Sequence, residues 1–338
     1  MGPLPVKKGL NPTRILVPPA TDTPWVAKDF LWHLISAQRH RAKDDNFSAV
    51  LERFAAGEVR LDSGEPLAPD DILRPGSFIN FYRRPAPERP VPGEITVLHQ
   101  DADIVVVDKP PFLATLPRGQ HITETALVKT RVQLGIPELS PSHRLDRLTR
   151  GVLLMTARPE IRGAYQTMFE RRIPHKVYEA LTPLPEEAPF DPIAPLAAWR
   201  SWDLPTPEHP WQLEHSMSKT RGHLSTILTA GPPNAVTLVT SLRTEQRDGR
   251  EVLVWRLEPR TGKTHQLRVV LRSLGLPIIN DPLYSDLSDD ALFSMDAPTP
   301  RPVYVEDEDF ATPMGLIAKE LHFPDPLTGE PRTFISRY

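Results

Sequence analysis

Residues Ser142–Ala157 read SHRLDRLTRGVLLMTA. The second half, Val152–Ala157, is a short apolar run behind Gly151, the pattern of a buried strand bounded by a turn residue. The first half places His143, Arg144, Asp146, Arg147, Thr149 and Arg150 within eight residues, which predicts a charged loop feeding that strand. A carboxylate among three arginines stays ionised, because neighbouring positive charge favours its charged form. Asp146 can therefore serve as a nucleophile or general base at neutral pH. The plainer reading is a surface ion cluster of little consequence to the fold.

Composition narrows the alternatives. A chain of 338 residues suggests two domains, or one large domain with an appendage. There are no cysteines, which excludes disulfides, cysteine-based zinc sites and thiol nucleophiles. The 11 histidines show no HExxH or comparable ligand spacing, so no metal and no cofactor are expected. No apolar run approaches the ~20 residues that span a bilayer. The opening MGPLPVKKGLNPTR lacks the apolar core of a signal peptide, so a cytoplasmic location is the expectation.

The formal net charge of −3 does not advertise a nucleic-acid binder, but the distribution is uneven. Residues 131–180 hold nine Lys/Arg against five acids, and residues 241–275 hold eight against four. Residues 281–310 reverse the sign, with nine acids against Arg301 alone. Two basic segments lining one phosphate-binding face, with the acidic stretch held away from it, is one reading. Ordinary fluctuation of charge along a chain is the other.

Residues 1–24, rich in Pro and Thr, are expected to be irregular. Helical periods over Trp25–Ala37 and Phe47–Ala56 predict two helices, the second ending at Gly57. A strand, a turn and a second strand follow up to Arg83. Arg84–Glu94 carries four prolines, at 85, 87, 90 and 92, and such density predicts an extended linker. The expected organisation is a small domain over 1–83, a linker over 84–94 and a main domain over 95–338.

In the main domain, ITVLHQDADIVVVDKPPFLATLP gives a strand, a turn and a second strand, Ile104–Val107, stopped at Asp108-Lys109-Pro110. Thr123–Leu134 predicts a helix closed by Gly135, and Ile161–Arg171 predicts another. Lys176 and Tyr178 stand two residues apart in an alternating segment, so they share one face of a strand. A single strand tyrosine is more often a half-buried packing residue. Residues 183–212 read as a Pro-rich insertion. Asn234–Ser241 and Glu251–Leu257 predict strands joined by a charged turn containing Asp248-Gly249. In EPRTGKTHQLRVVLRSLGLPIINDPLY, residues 258–284, a phosphate loop would need Gly at position 257, where Leu stands.

The wording H-R-L-D-x-x-T-x-G ahead of an apolar run resembles the catalytic motif of the RluA-type pseudouridine synthases, in which the Asp is the essential residue. Three further patterns of that family recur. One is the D-x-D-I-V-V-V-D-K-P opening. A second is F-x-x-R-x-x-x-K-x-Y-x-A, matched by Phe169, Arg172, Lys176, Tyr178 and Ala180. The third is P-x-T-G-R-x-H-Q-I/L-R with G-x-P-I-x-G-D-x-x-Y. It is met by Pro259, Thr261, Gly262, His265 through Arg268, Gly275, Pro277, Ile278, Asp281 and Tyr284. Lys263 replaces the commoner Arg, Val270 stands where His is frequent, and Asn280 replaces Gly, Asn being well suited to a positive φ. The resemblance covers residues 95–338.

The resemblance implies an α+β fold with a central mixed, largely antiparallel sheet and an active-site cleft. It implies an RNA pseudouridine synthase that isomerises specific uridines of large-subunit ribosomal RNA or transfer RNA, acting as a monomer. Asp146 would be the catalytic residue, paired with and oriented by Arg268, with Tyr178 against the target base. Arg144, His143, Lys176, Thr149 and Leu267 would contact the substrate. The two N-terminal helices and hairpin resemble the S4-like RNA-binding module that often precedes this catalytic domain, although QRHRAKDDN departs from its usual basic helix. A small α+β cap is the alternative there. Two other functions stay open: a non-catalytic RNA-binding protein, and a glycosidase-like hydrolase, which needs a second carboxylate as acid.

Overall fold

Most of the hydrophobic periods in the sequence become the expected elements. The computed structural model describes residues 2–19, 23–38, 40–188, 203–247, 249–300 and 307–338. Asp248 and residues 189–202 of the Pro-rich stretch lie outside the described residues. The chain divides into two units, Met1–Pro90 with Leu116–Glu138, and Val91–Thr115 with Leu139–Tyr338.

In the first unit, helices α1 (Ala27–Ser36) and α2 (Phe47–Ala55) carry the two periodic segments. Asn46 caps α2 by accepting from the Ala49 amide at 3.1 Å, which satisfies one of the donors a helix start leaves unpaired. Phe30, Leu31, Ile35, Val50 and Phe54 bury their side chains with Ile79 and Phe81. The sheet they meet has the order β1 (Thr13–Leu16), β3 (Phe78–Phe81), β2 (Val59–Leu61), all antiparallel. β1 corrects the expectation that residues 1–24 are irregular. Its four residues carry little local signal, and they become a strand by pairing with β3 from Thr13↔Phe81 to Leu16↔Phe78.

Residues 116–138, which the sequence reading groups with the main domain, pack in this first unit. Helix α3 (Ala126–Leu134) is capped by Thr125 and stops at Gly135, which takes φ 66°. Its Arg131 donates to the Gly9 carbonyl at 2.9 Å. Glu88, inside the Pro-rich stretch, accepts from the amides of Ile122, Thr123 and Glu124 and from the Thr123 hydroxyl at 2.7–3.1 Å. A carboxylate with four donors is a strong tie. The Pro-rich segment is therefore fastened as well as extended.

The second unit is built on ten strands: β4 (Thr96–Gln100), β5 (Ile104–Lys109), β6 (Ser140–Pro141), β7 (Arg150–Thr156), β8 (His175–Thr182), β9 (Trp211–His215), β12 (Ala235–Arg247), β13 (Arg250–Pro259), β14 (Leu316–Pro324) and β15 (Pro331–Ile335). Their order is β4-β5-β7-β14-β8-β13-β12-β9, with β15 on β14 and β6 on β7. Only β7 and β14 run parallel, so the sheet is mixed and largely antiparallel, as expected. A small ribbon pairs β10 (Met217–Ser218) with β11 (Ile227–Leu228). Helix α4 (Arg162–Glu170) buries Tyr165 and Met168 with Val106, Leu154 and Phe323. Helices α5 (Gln266–Ser273) and α6 (Asp289–Phe293) form a separate core through Val269, Val270, Ala291 and Leu292 with Tyr284.

The parallel pair β7–β14 sets where the Asp146 loop leaves the sheet. Gly151 lies opposite Ala318 with φ 115°. A Cβ there would stand 2.3 Å from the Ala318 carbonyl oxygen. Only glycine tolerates both the dihedral and the approach. Gly151→Ala should therefore lower stability by roughly 3 kcal/mol or more. Gly163→Ala, in α4 with open space around it, should raise stability by about 0.5–1 kcal/mol. Urea unfolding of both variants checks the pair, and equal effects would sink the close-approach explanation.

Candidate active site

The charged loop between β6 and β7 is fixed from several directions. Lys109, fully buried at the end of β5, donates to the carbonyls of Pro110, Leu113 and Arg147 at 2.9, 2.8 and 3.1 Å. Burial pushes its pKa down to about 7, with Asp146 opposing and Arg147 assisting. Thr115 donates its hydroxyl to the Leu145 carbonyl at 2.8 Å and accepts from the Leu145 amide at 3.1 Å. The residues on both sides of Asp146 are thus held by their backbones, and the carboxylate, 37% exposed, is the part left reachable.

The arginines of the loop do not gather around Asp146. Arg147 makes a bidentate pair with Glu308 at 2.5 and 2.7 Å. Here the acidic stretch, expected to stay away from the basic segments, reaches into one of them. Arg150 lies over the Tyr338 ring at 5.2 Å. Arg144 lines the cleft. The groups that face the carboxylate come from around α5: Arg268 Nη1 and His265 Nε2, each 3.9 Å from Asp146 Oδ2.

Arg268 requires a correction. Its closest carboxylate is Asp281, engaged through Nε at 2.6 Å and Nη2 at 2.7 Å, with Nη1 left toward Asp146. Asp281 Oδ1 also accepts from the Leu283 and Tyr284 amides, both at 3.0 Å. Burial opposes charge on both partners, and each overcomes it for the other: Arg268 titrates above its ordinary range and Asp281 below. The guanidinium fork prefers two parallel bonds to one carboxylate, which is why the longer contact goes to Asp146.

The cleft, open to solvent, spans about 590 Å³ between its walls. Of the residues expected from the sequence, Arg144, Asp146, Thr149, Lys176, Tyr178, Leu267 and Arg268 line it. Burial, and then Asp146, hold the Tyr178 phenol above its ordinary range, so it remains protonated. His143 is not in the wall. Its Nε2 accepts from the Leu154 amide at 3.1 Å, and its ring stacks on Phe169 with centroids 4.5 Å apart. An imidazole spent on backbone and packing supports the loop from behind. Asp146 is the single carboxylate among the described lining residues, which disfavours glycosidase chemistry.

His265 is the residue that the sequence reading left among motif matches without a role. It takes φ 56° at the start of α5, a left-handed conformation uncommon outside glycine. Gln266 fixes that turn: its side chain accepts from the Thr261 hydroxyl and the Lys263 amide, and donates to the Val236 carbonyl and the Thr237 hydroxyl, at 2.8–3.1 Å. Tyr284 Oη accepts from the Thr226 amide at 2.8 Å and lies 3.1 Å from His265 Nδ1. With the Tyr284 hydroxyl donating a hydrogen bond to Nδ1, the Nε2–H is the edge that faces Asp146, the attractive arrangement. Only the unusual backbone position brings this ring to the carboxylate, and no periodic pattern reports that. Among the described residues, no group of three or more His, Cys, Asp or Glu side chains is placed to hold a metal ion.

A family model described as RNA pseudouridylate synthase matches residues 103–273, half of the chain, and the chain belongs to that family of enzymes. An uncharacterized RNA pseudouridine synthase of Synechocystis sp. is 29% identical over 237 residues, covering 69% of this chain and 72% of that protein. The dual-specificity RNA pseudouridine synthase RluA of Vibrio parahaemolyticus is 29% identical over 192 residues, covering 56% and 68%. Human RNA pseudouridylate synthase domain containing 1 aligns in structure with a TM-score of 0.50 at 21% identity, over 73% of this chain and 86% of that one. That likeness shows the same fold.

The histidines of the site give stability a pH dependence. Burial, with Lys176 nearby, pushes His143 down to about 3, and burial, with Arg268 nearby, pushes His265 down to about 4. The unfolded chain, whose histidines titrate near 6.5, then binds more protons than the native one across that interval, so stability falls as the pH drops. Between about pH 6.5 and 4 each histidine should contribute a slope of about 1.4 kcal/mol per pH unit. His143→Gln and His265→Gln should each flatten the profile of urea-unfolding free energy there. An unchanged slope would show an imidazole already protonated in the native state.

Proposed function

We propose that this member of the RNA pseudouridylate synthase family converts a specific uridine of ribosomal or transfer RNA to pseudouridine, with Asp146 as the essential group. The observation that supports this most directly is the Asp146 carboxylate itself. Among the described residues it is the one acid lining the cleft, its loop is tied down on both sides, and Arg268 and His265 face it at 3.9 Å.

The reaction is an isomerisation. The N1–C1′ bond of the uridine breaks, the uracil turns within the cleft, C5 bonds to C1′, and the C5 proton leaves while N1 gains one. Asp146 acts by attack on C1′ or on C6, or by taking a sugar proton, and these three routes stay open. A uridine in folded RNA must leave its stack before a recessed carboxylate can reach it. Tyr178 and Leu267 then supply the walls against the uracil, while Lys176 and Arg144 meet the phosphates. Thr149 lies beside them in the same wall. Arg268, held by Asp281, keeps a cation at Asp146 that substrate binding does not have to recruit. In this reading the N-terminal helices and hairpin serve as an S4-like RNA-binding module, and the enzyme works in the cytoplasm where its RNA is.

The test is tritium release from RNA whose uridines carry tritium at C5. The wild type should release it, and Asp146→Asn should release it more than about 10³-fold more slowly while its RNA affinity stays within about threefold. Lys176→Gln and Arg144→Gln should weaken RNA binding and reduce its dependence on salt. Release by both wild type and Asp146→Asn would show that Asp146 is misassigned. No release by either, with RNA still bound, would favour a non-catalytic RNA-binding protein.

A further inference from the structure

Beside the cleft lies a second recess of about 370 Å³, lined by Arg172, Ile173, Pro174, His175, Lys176, Pro259 and Arg260. Lys176 and Pro259 line both, so the two hollows adjoin. The lining carries three basic side chains, Arg172, Lys176 and Arg260, and no carboxylate. Glu258 stands behind it, accepting from His175 at 2.8 Å and from Arg260 at 3.3 Å. That leaves Arg172 and Lys176 without an acidic partner among the described residues. Lys176 is depressed by burial and by Arg172, with no carboxylate acting against them. Two uncompensated cations converging on one hollow make a site for an anion.

Arg172 carries a second mark. It follows α4 at the position where helices end in a left-handed residue, with φ 58° and its amide donating to the Phe169 carbonyl at 3.0 Å. Glycine or asparagine is the favoured occupant there. A long cationic side chain in that conformation, standing on an unneutralised hollow, is a local cost that suggests a function.

We propose that this recess binds a backbone phosphodiester of the RNA strand next to the uridine that enters the cleft, held by Arg172 and Arg260 with Lys176 at the junction. The strand on either side of an extruded nucleotide has to leave the cleft mouth, and the recess is the cationic path that adjoins it. The site takes a phosphodiester in a strand in preference to free phosphate, because it adjoins, through Lys176 and Pro259, the space that takes the nucleoside. This proposal rests on the reading that the cleft receives a uridine of RNA.

The test is filter binding of the full-length protein to ³²P-labelled hypomodified total RNA across a range of KCl concentrations. Arg172→Gly removes the charge and relieves the left-handed backbone, so its melting temperature should match or exceed that of the wild type. Its slope of log affinity against log salt should nonetheless become shallower by about 0.7–0.9, the change expected for one lost phosphate contact. Arg260→Gln should do the same, and Arg172→Lys should restore the slope. Arg158→Gln, beyond the far end of β7, is the control and should leave the slope unaltered. Wild-type slopes in Arg172→Gly and Arg260→Gln would overturn the proposal. So would binding of inorganic phosphate that is lost in Arg172→Gly with no change in the RNA slope, which would mark a free-anion site. Failure of the uridine reading shows separately, as absence of tritium release by the wild type.

Discussion

The pairing of Arg268 with Asp281 is the interaction on which the site depends. Both groups are almost wholly enclosed, and neither would stay charged there alone. Together they join α5 to the turn over residues 278–284, whose amides complete the shell of the Asp281 carboxylate. The turn carries Tyr284, Tyr284 meets His265, and His265 faces Asp146. One buried ion pair therefore sets the two groups opposite the Asp146 carboxylate. Removing either partner would strand the other, a loss that buried pairs make severe.

The opposite wall follows a different principle. Lys109, Thr115 and Glu308 hold the Asp146 loop through carbonyls, an amide and the Arg147 guanidinium, leaving the carboxylate without a close partner. A rigid loop with a free functional group is what a precise site requires. Of the three neighbouring arginines, Arg147 is spent on Glu308 and Arg150 lies over Tyr338, while Arg144 lines the cleft.

Much of this was legible from the residues. The helices at 27–36 and 47–55, the strand behind Gly151 and the shared face of Lys176 and Tyr178 follow from periodicity. The positive φ at Asn280 follows from the residue that stands there. Seven of the eight site residues named from the motifs line one cleft. What stayed hidden depends on partners distant in sequence. β1 exists because β3 pairs with it, Arg147 is spent on a glutamate 161 residues away, and Arg268 prefers Asp281. His143 reads as a site residue by its neighbours in the motif, yet its ring is used for packing. His265 needs a backbone conformation that its type does not announce.

The parallel pairing of β7 with β14 has a consequence for how the enzyme comes into being. The strand that carries the Asp146 loop closes its register on residues 317–318, near the chain's end, and the loop is pinned by Glu308 shortly before. Contacts spanning more than 150 residues form late, because long loops must close before they are rewarded. The antiparallel pairs β4–β5 and β5–β7 can form without β14, whereas the register at Gly151, where the Asp146 loop leaves the sheet, waits for β14 to dock. A chain whose β14 is misdocked would therefore keep much of its secondary structure while Asp146 is still unplaced.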